Sequence, residues 1–306
     1  MRGATDQYLD LPRPPRSTGK RLVVTLSVLA VLAWAFLGTQ FNPAELVAGL
    51  PKMADMAKQS WPPDWGRLFD PADYHLPEEL TWQQTLLPGP LTQDQQDIRD
   101  AWWSNTWPQT ILGGTIQTIQ MAIAGTALAA LFSFPLGFLA ARNTSPHPSV
   151  YFGVKVVVNV LRSIPDFAVG LVLISAIGLG PFTGVSALAF ATTTVLVKLF
   201  SEAIENIDQG VVEAIQATGA NRFQVYSFAV VPQVMADFIS FVIYRFEANI
   251  RAATVLGLIG AGGIGLLMNA DFRTFQYQQA AVSVLVLIVL VLIVDFASAR
   301  LRRMVQ

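Results

Sequence analysis

The chain contains no cysteine in 306 residues and only two histidines, His75 and His147. The missing cysteines exclude disulfides, thiolate metal sites and cysteine nucleophiles, and they say little about compartment. Each histidine stands alone in a polar stretch, with no partner spacing around it for a metal site or for acid–base catalysis. Charge is scarce as well: Asp, Glu, Lys and Arg make up 13% of the chain, against about 25% in an ordinary soluble domain. No G-x-x-x-x-G-K-[ST] stretch is present, which excludes a P-loop nucleotide site on this chain. These absences argue against an enzyme, and no nucleic-acid partner is expected.

What is abundant is apolar sequence, 53% of the chain, and it comes in blocks. A bilayer core of about 30 Å needs about 20 apolar residues per helix. The blocks predict six spans at 22–39, 110–141, 150–178, 183–205, 230–252 and 278–299, hence an all-α polytopic membrane protein. Leu22–Leu37 follows Arg13, Arg16, Lys20 and Arg21. It reads as an uncleaved anchor rather than a signal peptide, because no small-x-small site follows. Residues 1–21 carry five basic and two acidic residues, and 40–108 carry four basic and ten acidic. With Arg142 and the Arg300, Arg302, Arg303 tail, this places both termini in the cytoplasm. Two regions follow, 1–109 and a core at 110–306.

Within 41–108, Leu46, Val47, Leu50, Met53, Ala54 and Ala57 share one helical face, as in a helix lying in the membrane interface. Six tryptophans follow (Trp61, Trp65, Trp82, Trp102, Trp103 and Trp107). They read as an aromatic belt at headgroup depth, with partner contact as the other reading. Trp61–Pro90 reads as an irregular loop.

The loop 206–232 is polar between two apolar spans. Asp208 can cap a helix running to Thr218, with Gly219 at the left-handed position beyond its end. Asn221 and Gln224 have the spacing of a capping box, and Pro232 suits the first turn of the next span. Two short helices at an angle, then a membrane helix, are expected. Glu213-Ala214-Ile215, Gly219 and Pro232 resemble the EAA loop of ABC importer permeases, with Ile215, Ala229 and Val231 replacing its usual Ala, Ile and Leu. The core resembles the phosphonate-type permeases in Gly137-Phe-Leu-Ala-Ala-Arg-Asn143, Leu161-Arg-Ser-Ile-Pro165, Gly178-Leu-Gly-Pro-Phe182, Lys198-Leu-Phe-Ser-Glu-Ala-Ile204, Tyr244-Arg-Phe-Glu247 and the Gly-rich run Thr254–Gly265. One departure is that Thr192, Thr193 and Thr194 stand where that group often has a His before its Lys.

The resemblance implies a type I importer permease in the inner membrane of a bacterium. Its partners would be a second copy of itself, two cytoplasmic ATPase subunits holding ATP-Mg, membrane lipid, and an extracytoplasmic protein delivering phosphonate, phosphite or a related oxyanion. No cofactor is expected on this chain. Asp208, Glu213, Ala214, Gly219, Asn221, Arg222 and Pro232 would couple it to the ATPases. A different solute, such as an amino acid or another oxyanion, is the alternative within the superfamily. An ion-coupled carrier is the alternative outside it, though only one Gly-rich break is present where carriers repeat theirs.

Ionisable residues at membrane depth usually face a bundle interior or an aqueous path. Arg162 with Ser163, Lys198, Arg245 with Glu247 and Asn249, and Arg251 are therefore candidate path residues, since guanidinium suits phosphate-like oxygens. Arg162 and Arg245 are expected near mid-depth, Arg251 nearer the outer end of its span, and Lys198 nearer the cytoplasmic end. The alternative is structural pairing: Arg162 with Asp166 across Pro165, which should kink that helix, Arg245 or Arg251 with Glu247 or helix ends, and Lys198 with Glu202. Gly257, Gly260, Gly262, Gly263 and Gly265 read as an outer gate or re-entrant turn, or as close helix packing.

Overall fold

The computed structural model describes residues 18–39 and 42–305, so Arg2, Arg13 and Arg16 of the basic N-terminal segment lie outside the described residues. Among these residues every regular element is helical. They fall into two units, 1–57 and 58–306. The first unit holds α1 (Thr18–Gly38), whose stretch Arg21–Gly38 is long and apolar enough to cross a bilayer. It also holds most of α2 (Pro43–Gln59), the helix expected after the first span. No residue of α2 is buried, and Leu46, Val47, Leu50 and Met53 are all open.

The second unit is built on α6 (Ile111–Ala140), α7 (Pro148–Arg162), α8 (Asp166–Ile177), α9 (Pro181–Glu205), α12 (Val231–Leu256), α13 (Gly263–Arg273) and α14 (Tyr277–Val305). Alpha-helix is the only economical way to satisfy these backbones inside lipid, where water supplies no partners. One expected span differs. Residues 150–178 are not one helix, because α7 and α8 meet at 86°. Pro165 has no N–H to donate and pushes the residue before it out of the helical region. The Ser163 hydroxyl donates to the Val160 carbonyl at 2.7 Å and so closes the last turn of α7. The expected kink is thus a full break.

The most extensive pairing is α6 with α9. Small residues let these backbones approach: a Cβ on Gly125 would stand 2.7 Å from the Leu188 Cβ, and one on Gly137 2.8 Å from the Phe200 Cβ. Such packing replaces the hydrophobic drive that lipid removes. Phe200 and Phe238 stack at 3.9 Å and 12° beside Leu196, Ile204 and Val234, and this core joins α9 to α12. At mid-length the fully buried Asn249 joins three helices. Its Oδ1 accepts from the Thr192 hydroxyl at 2.9 Å, and its Nδ2 donates to the Thr126 hydroxyl at 2.8 Å.

The segment before α6 is more ordered than its proline content suggests. It contains α3 (Gly66–Phe69), α4 (Trp82–Leu86) and α5 (Gln93–Ala101), and capping boxes at Thr81/Gln84 and Thr92/Gln95 start the last two. Four of the six tryptophans read as a belt cluster together. Trp82 and Trp107 lie against the Tyr74 ring at 5.7 and 6.5 Å, and Trp102, Trp103 and Trp107 pack on one another at 5.0 to 5.6 Å. Trp102 donates to the Tyr74 carbonyl at 3.1 Å and Trp103 to the Thr85 carbonyl at 2.9 Å. Trp102 is buried, whereas Trp82 and Trp103 stay partly open. Trp61 and Trp65 stay open. Burial, then the neighbouring Asp73, raises the Tyr74 phenol above its ordinary value, and its hydroxyl donates to the Leu68 carbonyl at 2.6 Å.

A buried ion pair fastens this segment to the helices: Arg67 meets Asp271 of α13, which also accepts from the Ser283 hydroxyl of α14 at 3.1 Å. Arg67 donates to Gln279 as well, at 3.3 Å. Removing one partner of such a pair strands the other and costs about 3 kcal/mol or more. Arg67→Gln should therefore expose 58–110 to limited proteolysis in membranes, and Arg67→Gln with Asp271→Asn should regain much of the protection. Equal protection of Arg67→Gln and the wild type would show that the pair does not hold the segment.

Candidate functional site

The loop between α9 and α12 forms the end of the bundle opposite the tryptophan cluster. α10 (Gln209–Ala217) starts at Asp208, whose carboxylate accepts from the Gly210 N–H at 2.8 Å. It stops at Gly219, which sits at φ +82°, where a side chain would be strained. The capping box expected at Asn221 is present: its side chain accepts from the Gln224 N–H at 3.0 Å, and Gln224 accepts from the Asn221 N–H at 2.8 Å. Glu213, Ala214 and Arg222 are exposed.

The second short helix differs from expectation. α11 (Arg222–Val225) does not end before the membrane helix. It continues through a π-helical turn at Tyr226–Val230 into α12, giving one helical stretch from Arg222 to Ala261. Pro232 lies in the first turn of α12, immediately after the wider turn. A proline inside a continuous helix leaves a carbonyl without its donor and crowds it, and a π-turn relieves that crowding.

Sequence reasoning missed the residue that fixes α10 to this helix. Gln233 accepts from the Asp208 N–H at 2.9 Å and donates to the Ala229 carbonyl at 2.7 Å. A polar residue directly after the proline, on the buried side of the turn, was the available signal. Further ties reach the loop between α6 and α7. Tyr226 donates to the Thr144 carbonyl at 2.7 Å and Asn143 to the Ile204 carbonyl at 2.6 Å, while Lys155 pairs with Glu205 at 3.0 Å. Together they leave a cleft of about 390 Å³ flanking α10, lined in part by Asn143, Gln216, Arg222 and Tyr226.

The charges within the bundle fall into separate groups. Glu247 contacts Arg251 at 3.1 Å and Arg302 at 3.2 Å, and Arg251 also meets Asp295 at 3.1 Å. These pairs run α14 antiparallel to α12. Within α12, Arg251 lies in the half farther from the α10 loop. Lys198 pairs with Glu202 at 3.6 Å. Arg162 and Asp166 make no ion pair, because the break places them on different helices, and both are exposed with Ser163 at the bend. Arg245 is half-buried. Its guanidinium donates to the Thr192 hydroxyl at 3.3 Å, and its Nε is buried without a partner.

At the far end of α12 the glycines make a tight break. Gly260, Gly262 and Gly263 have φ of +110°, +93° and +70°. A Cβ on Gly257 would stand 2.5 Å from the Gly262 carbonyl oxygen, and one on Gly265 2.1 Å from that of Thr254. The segment folds closely on itself, and α13 packs against α6, α12 and α14.

The family described as "binding-protein-dependent transport system inner membrane component" matches residues 133–306. The phosphite transport system permease protein PtxC of Stutzerimonas stutzeri is 35% identical over 92% of this chain and 88% of its own. The putative phosphite transport system permease protein HtxC of the same organism is 33% identical over 92% of this chain and 85% of its own. Among solved structures, an inward-facing form of the MetNI methionine ABC transporter superposes with a TM-score of 0.57. It is 20% identical and covers 64% of this chain and 96% of its own, a likeness of fold.

Gln233→Ala should loosen the base of α10. Losing these hydrogen bonds costs about 1–2 kcal/mol, so amide exchange across 208–217 should quicken roughly tenfold, while the exposed Gln216→Ala leaves it alone. Unchanged exchange in Gln233→Ala would mean that α10 is held elsewhere.

Proposed function

The chain belongs to the family of binding-protein-dependent transport system inner membrane components, and on that premise we propose that it is the permease subunit of an ATP-driven importer for a phosphorus oxyanion. Phosphite, phosphonate and related anions are the substrate class, supported by the names of relatives that match almost the whole chain. Two copies would frame the path, with both termini in the cytoplasm. Two ATPase subunits holding ATP-Mg would dock at the 206–232 loop, and an extracytoplasmic binding protein would dock at the opposite end.

The observation that carries this reading is the α10 loop. It is a short exposed helix with capped ends, held by Gln233 to the same continuous helix that runs into the bundle. A push on α10 is therefore a push on α12. Asp208, Asn221 and Gly219 fix the shape of the handle, and Glu213, Ala214 and Arg222 form its surface. ATP binding closes the ATPases and draws two such handles together. The helices then tilt toward an outward-open state, and hydrolysis resets them. Coupling of this kind is a difference in partner affinity between two conformations. The glycines at 257–265 form the hinge of a gate at the far end of α12.

In cells carrying the whole importer, Gly219→Val should leave the chain in the membrane and lower phosphite uptake per copy at least tenfold, while Gly219→Asn, which tolerates positive φ, keeps much of it. Wild-type uptake by Gly219→Val would sink the handle.

A further inference from the structure

We infer that Arg245 is the guanidinium that meets the oxyanion on its way through the bundle, and that Arg251 is a structural lock that does not touch it. The inference rests on the importer reading above and sorts its candidate cations by what already neutralises them. Arg251 is held by two carboxylates, Glu247 and Asp295, both at 3.1 Å. Glu247 is itself shared with Arg302. Two cations and two anions close a neutral cluster, and its bonds join α12 to α14. A passing anion would have to displace carboxylates that cannot leave. Lys198 faces one carboxylate, Glu202 at 3.6 Å on its own helix.

Arg162 and Arg245 have no such partner, but Arg162 lies exposed at the α7–α8 bend, whereas Arg245 is half-buried among the helices. Among the described residues it forms no ion pair, and its Nε–H is buried and unsatisfied. Burying an uncompensated cation costs several kcal/mol, so a protein that retains one usually has a use for it. Asp166, the first residue of α8, makes no ion pair with Arg245, though α8 packs against α12. It sits at the 86° bend between α7 and α8, exposed beside Ser163. That arrangement suits transit better than storage. A distant carboxylate moderates the cation, and an oxyanion gains hydrogen bonds from the guanidinium without being trapped.

The aim of Arg245 is set from behind. Its Nη2 donates to the Thr192 hydroxyl, Thr192 donates to Asn249, and Asn249 donates to Thr126. This chain crosses α12, α9 and α6 and ends in the closed core, so Arg245 is its one charged end. Asn249 and Thr192 are positioning residues, acting through Arg245 rather than on the substrate.

Uptake per membrane-inserted copy tests this in cells carrying the whole importer, with labelled phosphite, methylphosphonate and phosphate as probes. Arg245→Gln should lose at least tenfold, Arg245→Lys should keep the cation and recover part, and Arg251→Gln with Asp295→Asn should stay within about twofold of wild type. Asn249→Ala should raise the half-saturating concentration, with Asn249→Gln or Asn249→Ser restoring it in part. Because the chain has no cysteine, Arg245→Cys also reports on the path without any substrate. It should react with a small anionic methanethiosulfonate, and the reaction should slow when the importer is locked shut. Wild-type uptake by Arg245→Gln, or an unreactive Arg245→Cys, would overturn the assignment of Arg245. Failure of the wild type to take up any of the three probes would count against the substrate class instead, and the labelling result would then decide Arg245.

Discussion

The amide of Asn249 is the tie on which the bundle depends. It is fully buried, and both of its polar ends are satisfied by hydroxyls on other helices, Thr192 on α9 and Thr126 on α6. Apolar burial gives helices in a membrane little drive to associate, because lipid competes for the same surfaces, so close packing and hydrogen bonds set their register. A hydrogen bond between helices does so because its loss leaves unpaired groups where no water replaces them. Asn249 sets the height of α12 against α6 and α9. The glycines at 125 and 137 let α6 and α9 close, and the Glu247–Arg251–Asp295–Arg302 cluster sets α14 against α12.

With α12 so fixed, one helix links both ends of the molecule. From its middle it runs through Phe238 to the π-turn and the α10 handle, and in the other direction to the glycine break and α13. α13 carries Asp271, which receives Arg67 from the tryptophan-rich segment. Movement at the handle and contact at the opposite end therefore act on one continuous piece of structure. On the reading proposed above, the energy for that movement comes from the partner ATPases and enters at the handle.

Much of this was legible in the sequence because local rules governed it. Asp208, Gly219 and the Asn221/Gln224 box are cap signals, and each forms the structure its type demands. The apolar blocks located the spans because bilayer thickness constrains their length. What the sequence hid was relational. Pro165 signalled a bend, but a proline does not state its angle, and the break separated Arg162 from Asp166. Tryptophan composition alone does not show which rings touch, and four of them cluster beside Tyr74. Gln233 and the Arg67–Asp271 pair join residues far apart in the chain, which no local pattern encodes. The glycine run was read as gate or packing; its geometry is close packing, and the gate is a proposal built upon it.

The central claim is that transport through this chain is driven from outside it, at the 206–232 handle. Reconstitution in liposomes tests it most directly, with the purified chain alone or with its ATPase and binding-protein partners, and labelled phosphite as the probe. Accumulation that requires the ATPase and ATP, and that Gly219→Val abolishes, is the expected result. Accumulation by the chain alone on a proton or sodium gradient would contradict it.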